Sequence, residues 1–154
     1  MSNRVPPNFQ PPPSNPPSIS MLRLIVTALI IGVCIFGGTV IFSASRIGAK
    51  VFPDPLPGHI LIGLSVLAIV SQAVVRRFYP PQPALGEVPN LKLYGTMTLI
   101  RIGMLEGVTI LNYIFYLLSQ NELTLAAGIV LVLTMLVLRP SDATYATWRN
   151  ASTT

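Results

Sequence analysis

Apolar runs of similar length, separated by short polar or proline-bearing intervals, are the dominant pattern of this chain. Four of them, residues 24–43, 58–75, 94–118 and 123–138, hold about 16 to 25 residues each, where an α-helix needs ~20 to cross the hydrocarbon core of a bilayer. The pattern predicts an all-α fold, an integral membrane four-helix bundle made of two hairpins. The fourth run is the shortest and is expected to extend into its flanks.

The intervals divide the rest. Residues 1–20 carry seven prolines among serines and asparagines, a composition that cannot bury a core and favours extended polyproline II; a disordered Pro-rich cytoplasmic tail is expected. Pro53-Asp54-Pro55-Leu56-Pro57 stops the first helix. The central interval, with Pro80, Pro81, Pro83, Gly86 and Pro89, separates the two hairpins. After Pro140, Ser141 is an N-cap candidate for a short helix through Asp142 to Trp148. Tyr145 and Trp148, three apart on one side of it, predict an interfacial C-terminal segment over 140–154. The membrane domain is thus 21–139.

The third span differs from the others in carrying a polar stripe. At ~100° per residue from Arg101, the angles are Thr98 ~60°, Glu106 ~140°, Thr109 ~80°, Asn112 ~20°, Tyr113 ~120° and Tyr116 ~60°, an arc of about 140°. Met104, Val108, Ile110, Leu111 and Ile114 fall on the remaining arc with Gly103 and Gly107. Such segregation turns the polar face toward the bundle or a wet cleft. At 1.5 Å per residue, Glu106 sits near the midplane, Arg101 roughly 9 Å toward one surface and Asn112 roughly 9 Å toward the other.

An intramembrane carboxyl is costly and survives only with a partner, a cavity or a function, so Glu106 is the first candidate for chemistry. The candidate polar site is Glu106 with Arg101, Asn112, Thr109 and Tyr113. Ser65 and Cys34 lie at the level of Glu106, and Thr27, Ser71, Gln72 and Thr134 at that of Arg101. A direct Arg101–Glu106 pair is strained, because five residues separate them. The expected arrangement has Arg101 snorkelling to the headgroups and Glu106 hydrogen-bonded across helices. Gly103 and Gly107 on the third helix, with Ala28 and Gly32 on the first, are candidate helix-packing positions.

Composition agrees with the membrane reading: 51% of the 154 residues are hydrophobic and 10% charged, too apolar for a soluble domain of this size. The net charge of +5 is distributed unevenly. With four spans, seven cations (Arg4, Arg23, Arg76, Arg77, Lys92, Arg139, Arg149) fall on one side and two (Arg46, Lys50) on the other, which predicts both termini in the cytoplasm. No basic stripe interleaved with aromatics is present, so a nucleic-acid partner is not expected. The expected partners are the lipid bilayer and either further copies of the chain or a larger membrane complex.

Arg101-x-x-x-x-Glu106-Gly107, followed by Asn112, Tyr113 and Tyr116 and then by Arg139-Pro140-Ser141, resembles small uncharacterised four-helix bacterial membrane proteins. The resemblance covers the second hairpin and the C-terminal cap, and implies a fold and an inner-membrane location without an activity. Glu106-Gly107 is loosely similar to the ion-carrying carboxylate of ATP-synthase proteolipid subunits; the chain departs from these in lacking their dense glycine ladder. One histidine (His59), one cysteine (Cys34), no Cys/His metal spacing and no nucleophile beside a base predict a protein that is not an enzyme, with no metal or cofactor. Two function classes remain: a structural or accessory membrane protein, and a proton- or cation-coupled small transporter using Glu106.

Overall fold

The computed structural model describes residues 18–47, 56–82, 84 and 86–151; the proline-rich tail, most of the loop after the first span and the last three residues lie outside them. The described residues form five helices: α1 (Ile19–Ile47), α2 (Leu56–Phe78), α3 (Glu87–Ser119), α4 (Glu122–Val137) and α5 (Asp142–Asn150). No strand occurs among them. Three helices, α1, α2 and α3, are long and apolar enough to cross a membrane, and a fourth span is reached if α4 and α5, bent by 78° at their break, are taken as one.

Helix α3 begins two turns before the expected 94–118. Glu87 and Pro89 occupy its first turn, where the missing proline N–H is an orphan position in any helix and costs nothing. The buried Asn90 then fastens the central interval to the helix. Its side-chain amide accepts from Gln82 N and donates to Gln82 O, both at 2.9 Å. At the other end Gln120 adopts a left-handed conformation (φ 52°) and its N–H closes on Tyr116 O at 2.7 Å. Asn121 immediately caps α4, its side chain accepting from Leu123 N at 3.0 Å. This two-residue break forces α3 and α4 into an antiparallel pair.

The bundle is built around that pair. Arg23 at the start of α1 reaches Pro140 O and Asp142, and Trp148 Nε1 of α5 donates to Tyr79 O beyond α2. One end of the bundle therefore gathers the starts of α1 and α3 and the ends of α2 and α4. The opposite end is tied by Gln120 Nε2 to Ala44 O. Chain direction thus alternates through four helices. The two-hairpin expectation is corrected in one respect: α1 and α2 do not pack as a hairpin, because α1 lies against α3 and α2 against both α3 and α4, with only marginal contact between α1 and α2. The interval of about eight residues between them can span ~30 Å, so nothing holds the two helices side by side.

Val26, Val33, Met97, Ile102, Leu105, Leu131 and Met135 fill the centre with almost no exposure. Leu24, Ile35, Leu67, Val70, Leu133 and Val137 point outward, an apolar exterior suited to lipid. Since lipid gives helices no hydrophobic reason to associate, close packing and interhelical hydrogen bonds hold such a bundle.

Helix α4 ends at Val137 and does not extend further, because Pro140 cannot continue the ladder. Ser141 then starts α5 with a reciprocal capping box to Thr144. Tyr145 and Trp148 were expected to face the headgroups. They turn inward and form a cluster with Tyr94, with ring centroids 5.2 to 6.0 Å apart. Three rings buried against one another, Tyr94–Tyr145 edge to face and Tyr145–Trp148 stacked, bring an attraction of about 0.5–1.5 kcal/mol per pair beyond area burial. Helix α5 is a lid on the bundle.

Candidate functional site

Most of the polar arc of α3 faces the interior, with Arg101, Glu106 and Tyr116 half-buried. Tyr94, Thr98, Ile102, Leu105, Thr109, Asn112 and Tyr113 are buried, whereas Leu99, Gly103, Met104, Gly107, Leu111 and Ile114 are exposed. Glu106 lies on the border and is half-buried.

Two interhelical hydrogen bonds join α3 to α2. Arg101 Nε donates to Gln72 Oε1 at 3.1 Å, and Gln72 Nε2 donates to Ala68 O at 2.8 Å, so both ends of the glutamine amide are used. Arg101 therefore binds a neighbouring helix where snorkelling to the headgroups was expected. Asn112 Nδ2 donates to Ser65 Oγ and to Val108 O, each at 2.9 Å. Asn112 Oδ1 is buried and has no hydrogen-bond partner among the described residues. Thr109, fully buried, donates to Leu105 O one turn back.

Tyr113 works by shape. A methyl group at Gly37 would lie 2.6 Å from its Cε2, and one at Gly128 would lie 2.6 Å from its Cε1. The ring is thus held edge to edge between the backbones of α1 and α4, with Phe36 against it at a centroid distance of 6.4 Å. Only glycine leaves room for the ring on both sides. The predicted packing positions stand elsewhere: nothing lies within 4 Å of a methyl group placed at Gly32, Gly103 or Gly107, and Ala28 is exposed. Within one copy of the chain, Gly37 and Gly128 are the close-approach positions around Tyr113, and Gly58 is a third, where a methyl group would lie 2.8 Å from Asn121 Nδ2. The sequence signal of the first two was a bulky Tyr113 and glycines in two other helices, a pairing that only tertiary contact reveals.

Glu106 makes no hydrogen bond or ion pair among the described residues, which corrects the expected bond across helices. The levels explain why: Ser65 is taken by Asn112, and Cys34 is exposed on α1. Thr27, Thr39, Ser71 and Thr134 return their hydroxyls to their own helices. The carboxyl stands beside Gly103 and Gly107 on the outer flank of α3.

A second polar feature, absent from the sequence reading, lies at the end where α4 stops. A cavity of about 280 Å³ is lined by Arg76, Tyr94, Thr98, Arg101, Val137, Leu138, Ala143, Thr144 and Thr147. Another turn of α4 would occupy this space; α5 roofs it instead. Tyr94 Oη and Thr144 Oγ1 are hydrogen-bonded across it at 2.9 Å. Outside the spans, burial pushes the Tyr145 phenol up from its ordinary value, with Arg149 acting against this and Glu87 adding to it. Among the described residues no cluster of His, Cys, Asp and Glu is arranged to hold a metal ion. Comparison with known protein families, with curated proteins and with solved structures finds no match to this chain.

Proposed function

We propose that this chain is a multi-pass protein of the bacterial inner membrane, with both termini in the cytoplasm, whose role is structural or accessory. The observation that carries the reading is the use made of the polar arc. Arg101, Asn112 and Tyr94 spend their hydrogen-bonding groups on Gln72, Ser65 and Thr144, which locks α2 and α5 to α3. Groups committed in this way stabilise an assembly and do not carry a substrate along a path. The concentration of Arg23, Arg76, Arg77, Lys92, Arg139 and Arg149 toward one end of the bundle supports the orientation.

In this reading Glu106 is an assembly contact. A carboxyl beside two exposed glycines can hydrogen-bond to a polar group of another transmembrane helix, in a second copy or in a larger membrane complex. Glu106→Gln keeps a donor and should preserve assembly, measured by disulfide or photo-crosslinking in native membranes, while Glu106→Leu should lose it. Retention of assembly in both variants would remove Glu106 from the interface.

The alternative is proton- or cation-coupled transport through Glu106. It is favoured by one observation, a half-buried carboxyl at mid-depth without a bonded partner among the described residues. Infrared difference spectroscopy of the carboxylic C=O band, against Glu106→Gln, separates the two. A band present across ~pH 5 to 9 means a permanently neutral acid and ends the coupling reading. Titration within that window, together with loss of phenotype in Glu106→Gln, would replace the structural reading.

A further inference from the structure

We propose that the cavity between α2, α3 and α5 binds the phosphate headgroup of an anionic phospholipid. Two guanidiniums from different helices, Arg76 and Arg101, share its wall with the hydroxyl-bearing Thr98, Thr144 and Thr147, and no carboxylate lines it. Neither arginine forms an ion pair among the described residues. The Nε of Arg101 is committed to Gln72, which fixes the plane of the guanidinium and leaves its terminal nitrogens without an acceptor among the described residues. Two such forks beside the hydroxyl of Thr98 form an oxyanion site, because guanidinium matches phosphate oxygens with paired N–H groups, while Thr144 and Thr147 already donate their hydroxyls to Ser141 O and Ala143 O. Thr98 strengthens the assignment: its residue is buried, it lines the cavity, and its hydroxyl makes no hydrogen bond among the described residues.

Depth and shape select a lipid over a soluble anion. Helix α4 rises about 24 Å over its 16 residues, so the cavity above its end lies near the boundary of a ~30 Å hydrocarbon core. Val137, 80% exposed, and Leu138 form an apolar lip on which acyl chains can lie while the headgroup enters. The volume of about 280 Å³ equals that of about nine waters at ~30 Å³ each, enough for a phosphate with part of its hydration. Basic pockets between helices on the cytoplasmic side attract anionic headgroups in this way. Bound there, the phosphate would bridge α2 to α3 through Arg76 and Arg101.

The test uses the full chain in nanodiscs of phosphatidylcholine containing a minor fraction of phosphatidylglycerol, with retained lipid counted by native mass spectrometry. The wild type should retain phosphatidylglycerol in preference to phosphatidylcholine. Arg76→Gln and Arg101→Gln should each lower that preference about fivefold, and Arg77→Gln, an exposed cation outside the cavity, should leave it unchanged. Arg76 makes no hydrogen bond among the described residues, so Arg76→Gln keeps the test decisive if Arg101→Gln fails to fold. Absence of a preference in the wild type overturns the proposal, as does an equal loss in Arg77→Gln. Arg101-dependent stabilisation by inorganic phosphate in discs of pure phosphatidylcholine, without selection of phosphatidylglycerol, would assign the cavity to a soluble anion and overturn the lipid assignment.

Discussion

Adding one methyl group at Gly128 tests the central packing claim. An alanine Cβ there would stand 2.6 Å from Tyr113 Cε1 and 3.0 Å from Cδ1, inside ordinary contact by about 1 Å. A flexible side chain would swing away, but this ring has nowhere to go. Its opposite edge faces Gly37, where a methyl group would also fall 2.6 Å from Cε2. Relief therefore requires α4 or α1 to move, and overpacking of this kind costs about 1–3 kcal/mol. Alanine returns up to about 1 kcal/mol of helix propensity relative to glycine. Gly103→Ala and Gly107→Ala collect that gain without the clash, since nothing lies within 4 Å of either position.

The quantity to measure is the difference between inward and outward variants, expected at about 1–3 kcal/mol, by reversible unfolding of the purified chain in mixed micelles. Gly37→Ala with Gly128→Ala should cost more than the sum of the singles, because each removes the other's escape route. Tyr113→Leu, although it opens a cavity of its own, should make Gly128→Ala far less harmful. Equal effects at all four glycines, or no coupling between Gly128→Ala and Tyr113→Leu, would refute the wedge.

The remaining expectations concern the bonds that dock α2 and α5. A double-mutant cycle of Asn112→Ala with Ser65→Ala should give a coupling of about 0.6 kcal/mol and no more than ~1.7, as interhelical hydrogen bonds in bilayers do, read from the same unfolding assay. Tyr145→Phe should be neutral or stabilising, because the hydroxyl it removes is buried without a partner among the described residues. The folded state holds the Tyr145 phenol protonated above its ordinary pKa of ~10, so its contribution is complete below that value and is lost as pH rises beyond it. Trp148 fluorescence should report the lid loosening above ~pH 10 in the wild type and much less in Tyr145→Phe. Arg23→Gln removes an exposed pair with Asp142 at 3.1 Å and should cost under ~1 kcal/mol by thermal shift; a larger loss would mean that its contact with Pro140 O anchors the lid.

Hydrophobic run length located the helices α1 to α4 approximately, of which three are by themselves long and apolar enough to cross a membrane, because the thickness of a bilayer is a property of the solvent and can be counted along a chain. The cap at Ser141 was equally legible, since an N-cap and its proline are local signals. Angular periodicity turned Thr109, Asn112 and Tyr113 of α3 inward, whereas the half-buried Arg101 was expected to reach the headgroups. Three things were decided only by the tertiary structure. Partner choice was one: Arg101 and Glu106 are neighbours in sequence, yet Gln72 takes the first and leaves the second on the flank, because α2 packs on one edge of the polar arc alone. Close approach was another, since the fit of Tyr113 between Gly37 and Gly128 joins residues from three helices. The last was the cavity: Arg76 and Arg101 share a wall with Thr144 and Thr147 only because α4 stops at Val137 and α5 folds back by 78° over the gap. A sequence records which helices a membrane will admit, and the packing of those helices decides which of their polar groups meet.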